Sequence, residues 1–197
     1  DKSLVMNEPR QGRKVLSTLK LLLSKCSSFQ FFVAFVNREG VISLLESFRT
    51  LEAKGIKGEI LVSQYLNFTE PLALRTLISF KNLNVRINTE DSMHGKGYFF
   101  YGNDLNQIMI GSSNLTASAL SSHLELNVMV ETDPSSALSK EVEETFERYF
   151  SSGERVTEEF IQQYEADFFK PKETPIVKEQ NLELVSGPKE QSFPIST

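Results

Sequence analysis

A single cysteine in 197 residues leaves Cys26 without a partner for an internal disulfide and removes any Cys-rich zinc site. Only two histidines are present, so a Cys-His metal cluster is missing as well. No apolar run approaches the roughly 20 residues that span a bilayer, and the stretch from Leu19 to Leu23 is far too short. The opening Asp1-Lys2-Ser3 carries no signal-peptide pattern, the first residue is not Met, and no internal repeat is found. These absences lead to the expectation of a cytoplasmic chain with one large domain, residues 1–170. Residues 171–197, dominated by Pro, Lys, Glu, Ser and Gln, read as a linker or disordered tail.

Basic charge is scarce overall, with a formal net charge of −5, which argues against tight nonspecific binding to a polyanion. The distribution is uneven, however. Residues 1–100 carry 14 Lys and Arg against 9 Asp and Glu, whereas residues 101–197 carry 7 against 17. A local cleft potential in the first half therefore outweighs the total as a guide to partners.

What is present is an alternation of core strands and amphipathic helices. Residues 10–25 place Val15, Leu16, Leu19, Leu22 and Leu23 at helical spacing. Phe29 to Val36 is a near-continuous apolar run, as in a strand buried on both faces, and Asn37 to Gly40 breaks it. Val41–Lys54 reads as a helix, Glu59–Ser63 as a strand, Pro71–Phe80 as a helix opened by its proline, and Asn84–Asn88 as a third strand. This order predicts parallel pairing. The loop Ser63–Asn67 follows a strand end, where Gln64, Tyr65 and Asn67 are placed to touch a ligand. Farther on, Ala137–Phe150 and Val156–Phe169 read as helices whose aromatics pack in the core.

Residues 91–127 hold most of the chemistry. A β-hairpin is predicted there, with Tyr98–Tyr101 and Gln107–Ile110 flanking the turn Gly102-Asn103-Asp104. His94 and Lys96, two apart, share a strand face. A register in which paired residue numbers sum to about 208 sets Asn114 opposite His94 and Ser112 opposite Lys96, and a slip of one residue sends both to the other face. An imidazole, an ammonium, an amide and a hydroxyl gathered in this way suit a phosphate ester. The segment from His123 to Val130 is apolar at every even-numbered position, which leaves Glu125 on the odd face, available to orient an imidazole. Singly, these residues fit solvated positions, turns or N-caps; their joint spacing is what sets them apart.

His94-Gly95-Lys96, then Gly111-Ser112-Ser113-Asn114, then Glu125, resembles the active-site signature of the phospholipase D superfamily in its nuclease-like, single-motif branch. The family pattern also has an aspartate after H-x-K, a position held here by Tyr101. The resemblance implies a three-layer α/β/α sandwich with a mixed, largely parallel sheet. It implies a metal-independent phosphodiesterase with no cofactor, a nuclease acting on DNA through a phosphohistidine at a homodimeric site. In it His94, Lys96, Asn114 and Glu125 would be catalytic, and Lys96, Ser112 and Asn114 would hold phosphate. The alternative is a non-catalytic nucleic-acid-binding or assembly module of a larger protein with fused helicase or restriction domains.

Overall fold

Strand β2 (Ser28–Val33) lies inside the sheet, as its composition requires: Phe29, Phe31 and Val33 bury one face completely, while Gln30 and Phe32 half-bury the other. The computed structural model describes residues 1–64, 68–89 and 93–169. Around β2 the chain forms β1 (Lys2–Met6), α1 (Val15–Lys25), α2 (Arg38–Ser43), α3 (Leu45–Ala53), β3 (Lys57–Ser63), α4 (Pro71–Ile78) and β4 (Leu83–Asn88). It continues as β5 (Gly97–Tyr101), β6 (Asn106–Gly111), α5 (Ala117–Ser121), β7 (Leu126–Thr132), α6 (Ala137–Ser152), β8 (Glu154–Arg155) and α7 (Glu158–Phe168). The predicted tail from residue 171 lies outside the described residues.

The eight strands are ordered β1-β7-β6-β5-β2-β3-β4-β8. The expected mixed sheet between helices is present, although parallel pairing is confined to β2–β3 and β3–β4. All other neighbours are antiparallel, starting with the β5–β6 hairpin, whose short turn forces the chain back beside itself. Sequence periodicity did not anticipate the edge strands β1 and β8. It also joined two helices into one: Leu44, at φ −106° and ψ 4°, separates α2 from α3. Asn37–Gly40 do end the apolar run, by opening a helix. Asn37 caps α2 by accepting a hydrogen bond from the Gly40 N–H at 2.8 Å, as N-cap asparagines do.

Alternate strand residues feed two cores. On one face Phe31, Ile60, Val62, Ile87, Tyr98 and Phe100 pack with Leu19 and Leu23 of α1, Phe48 of α3, Leu74 of α4 and Tyr164 of α7. On the other, Leu61, Phe99 and Ile108 meet Val142, Phe146 and Phe150, so α6 supplies the helical side of this second core.

The apolar face of β7 is not used in this way. Asn127 is buried, while Leu126 is exposed and Val128 keeps 46% of its surface. The ladder sets Val128 between Leu4 and Ile110, both also exposed, so an uncovered apolar row crosses β1, β7 and β6.

Two buried asparagines tie this side of the sheet down. Asn7 accepts from the Val15 N–H and donates to the Ala119 and His123 carbonyls. Asn127 donates to the Val5 carbonyl and the Ser113 hydroxyl and accepts from the Ser113 N–H. Asn127→Ala strands several buried polar groups at once and is expected to cost about 3 kcal/mol. The exposed Leu21→Ser change should stay within about 0.5 kcal/mol. Urea denaturation of both variants checks the contrast.

Candidate active site

Strands β2, β3 and β4 end, and β5 begins, at one end of the sheet, because β5 runs antiparallel to β2. Ligand contacts collect at such an end. The H-x-K segment enters it just before β5. Its middle residue must be small: a Cβ on Gly95 would lie 2.8 Å from the Phe32 ring. That contact presses the segment against β2. His94 is exposed and Lys96 half-buried. The Lys96 Nζ donates to His94 Nδ1 at 2.8 Å and to the His94 carbonyl at 2.7 Å. An imidazole nitrogen that accepts from an ammonium presents a lone pair there. Burial lowers the pKa of the ammonium, and the Glu125 carboxylate partly offsets this by favouring the charged form.

The hairpin register differs from expectation by one residue. Pairs such as Gly97 with Ile110 and Tyr98 with Met109 sum to 207, and the ladder stops before Ser112. Asn114 is therefore not the cross-strand partner of His94, nor is Ser112 that of Lys96. The sequence does not reveal this because the turn, Gly102–Leu105, is one of several lengths compatible with the same apolar pattern.

The loop after β6 brings its residues to the site by other contacts. Gly111 passes so close to β7 that a Cβ would lie 2.3 Å from the Leu126 carbonyl oxygen. Ser112 donates through its hydroxyl to Glu125 Oε2 and accepts from the Leu126 N–H at 3.0 Å. The Ser113 carbonyl accepts from the Tyr98 hydroxyl at 3.0 Å. Asn114, only 8% exposed, reaches across to β2, where its Oδ1 accepts from the N–H groups of Ala34 and Phe35 at 3.2 and 3.3 Å. This leaves the Nδ2 hydrogens of Asn114 as the donors it can offer a ligand. Thr116 caps α5 through a bond from the Ala119 N–H.

The tyrosine at the aspartate position lies away from this cluster. Tyr101 is at the far end of β5, five residues from Lys96, or about 17 Å at the rise of a strand. Its hydroxyl donates to Gln30 Oε1 at 2.5 Å, and Gln30 in turn donates to Glu59. Burial, with Glu143 and Glu59 nearby, raises its pKa and keeps the phenol protonated. Of the loop expected to touch a ligand, Gln64 is described and donates its N–H to the Asn88 carbonyl; Tyr65 and Asn67 lie outside the described residues. Sequence reasoning passed over two residues at this end. Phe35, read as core, is half-buried, and Phe68 is exposed, with their ring centroids 5.5 Å apart.

Among the described residues, no group of three or more His, Cys, Asp or Glu could hold a metal ion, and no helix is long and apolar enough to cross a membrane. Because the Asn114 carboxamide satisfies two backbone donors, Asn114→Ala is expected to lose about 2 kcal/mol of stability, read from the urea midpoint.

Comparison with known proteins agrees with this geometry. A family model described as the PLD-like domain of cardiolipin synthase matches residues 21–150, a span that holds His94, Lys96, Asn114 and Glu125. No curated protein sequence matches the chain. Among solved structures, a phospholipase D family member, Nuc from Salmonella typhimurium, superposes with a TM-score of 0.60 at 17% identity, covering 79% of this chain and 99% of its own. NucT from Helicobacter pylori gives the same values. The phosphatidylserine synthase of Haemophilus influenzae Rd KW20 also reaches 0.60 at 17% identity, with 85% of this chain but 45% of its own covered. At these identities the likeness establishes the fold, and the family match, spanning well over half the residues, establishes the kinship: the chain belongs to the phospholipase D superfamily as a PLD-like domain.

Proposed function

We propose that this domain hydrolyses phosphodiesters, with DNA as substrate, through a phosphohistidine formed at a two-fold dimeric site. Membership in the PLD-like family supports phosphodiester cleavage. The observation that carries the reading is the Lys96 ammonium held on the His94 imidazole at the sheet end where Asn114 is anchored. A phosphate entering there would draw Lys96 and the Asn114 amide onto its non-bridging oxygens, assisted by the Ser112 hydroxyl. As Lys96 moves, Nδ1 is released to Glu125, which would then fix the tautomer and leave Nε2 as the nucleophile.

In the first step a ring nitrogen of His94 attacks phosphorus, and the bond from phosphorus to one ester oxygen breaks. The departing oxygen takes a proton from the imidazolium of a second His94. Water then attacks phosphorus, the second imidazole takes its proton, and the P–N bond breaks, restoring both rings. One histidine cannot serve both sides of an in-line displacement, so a second copy of the chain is part of the proposal. The uncovered row Leu4–Val128–Ile110 supports it, since Ile110 and Lys96 line the same apolar groove of about 350 Å³. The basic excess of residues 1–100, the half that carries the H-x-K segment, favours a polyanionic substrate.

The test is incubation of wild type and His94→Ala with single- and double-stranded DNA and with bis(4-nitrophenyl) phosphate in excess EDTA. Cleavage should persist in chelator and fall roughly 100-fold or more in the variant. Activity that requires added magnesium would reject the mechanism. Val128→Asp places a charge on the uncovered face without entering the core. It should yield a folded monomer by analytical ultracentrifugation, with cleavage reduced in parallel; a wild-type protein that is already monomeric and active would remove the dimer from the reading.

A further inference from the structure

We infer that Phe35 and Phe68 form a stacking platform for an unpaired nucleobase beside the bound phosphate, so that the site takes single-stranded nucleic acid in preference to duplex. The inference rests on the reading that Asn114 and Lys96 hold a phosphate, and it adds the substrate's secondary structure to it.

Three chain segments are laced together at this corner. Phe35 donates its N–H to Asn114 Oδ1 at 3.3 Å, so its backbone is tied to a residue of the proposed phosphate site. Val36 bridges Leu115 in parallel, and the Asn37 N–H donates to the Leu115 carbonyl at 3.2 Å. On the other side the Glu70 N–H donates to the Val36 carbonyl at 3.0 Å, and Glu70 Oε2 accepts from the Arg38 N–H at 2.7 Å. Thr69, buried, donates to the Ser63 carbonyl and accepts the Tyr164 hydroxyl at 2.7 Å. Phe68 therefore projects from a fixed point, with its ring 5.5 Å from that of Phe35 and tilted by 53°.

The pair is less buried than the aromatics of the core. Phe29, Phe31, Phe48, Phe100 and Phe146 are completely buried, whereas Phe68 keeps 49% of its surface and Phe35 is half-buried. Two tilted rings make a flat shelf with a wall: a planar base stacks on one face and meets the other ring at its edge. Bases of a duplex are stacked on one another and offer no free face, but every unpaired base does. Among the described residues the neighbours in sequence, Asn37, Arg38, Glu39 and Glu70, are polar and of mixed sign and do not make the cluster of Lys and Arg that docking on an anionic bilayer requires.

The experiment measures binding in the full chain carrying His94→Ala, so that cleavage does not intervene. Its probes are a fluorescein-labelled 12-mer single strand, the same strand with abasic sites, the matching duplex, and vesicles of phosphatidylcholine with phosphatidylglycerol. Adding Phe68→Ala should weaken binding to the single strand about 10-fold, Phe68→Trp should restore it, and the abasic strand should be indifferent to both. Because Phe68 is exposed, the thermal midpoint should not move, which separates stacking from misfolding. Unchanged single-strand affinity in Phe68→Ala overturns the inference, as does a loss confined to vesicles, which would assign the rings to lipid. Cleavage by the wild type is scored separately: if no phosphodiester is cleaved but the aromatic dependence of binding holds, the catalytic reading falls and the platform stands.

Discussion

The carboxamide of Asn114 closes the end of β2, and the functional end of the molecule depends on it. Where β2 leaves the sheet, the N–H groups of Ala34 and Phe35 have passed beyond the β2 ladders, and buried donors without acceptors are costly. One side-chain oxygen meets both. That bond pulls the loop after β6 across to β2 and fixes the backbone of Phe35 at the sheet end where β5 begins. In the proposed site the same side chain would also donate to a phosphate, and only a carboxamide of this length supplies an acceptor and donors together.

The second half of the site is electrostatic. Lys96 is partly withdrawn from water and leans on the imidazole and carbonyl of His94, with Glu125 acting on its charge from beyond the loop. The ammonium thus rests on a ring nitrogen and a carbonyl oxygen of one residue, contacts that a phosphate oxygen would replace in the proposed site. Glu125 meanwhile holds the Ser112 hydroxyl, so the carboxylate links hydroxyl and ammonium.

Beside this site lies the row Leu4, Val128 and Ile110, where the usual sense of β alternation is reversed. In most strands the apolar face meets the core; in β7 the buried position belongs to Asn127, whose amide serves three hydrogen bonds, and the apolar face looks outward. The helix that covers this side of the sheet, α6, packs through Phe146 and Phe150 on β3 and β5 and leaves β7 and β1 uncovered. Exposed apolar rows of this kind mark interaction surfaces, which is why the proposed second copy is placed there.

Amino-acid order alone determined the alternation of strands and helices from Val15 to Ile87 and the candidate set His94, Lys96, Ser112, Asn114 and Glu125, because these are local matters of periodicity and spacing. It also named Gly95 and Gly111 as motif positions without the reason, which is steric: Phe32 and the Leu126 carbonyl occupy the space of a side chain. Tertiary structure alone decided the hairpin register, the reach of Asn114 to β2, the isolation of Tyr101 at the opposite sheet end and the outward face of β7. Each of these depends on which distant segment supplies a hydrogen-bond partner or a packing surface. A strand reads the same whether its apolar face meets α6 or nothing, so a pattern of period two fixes which residues share a face but not which face is covered.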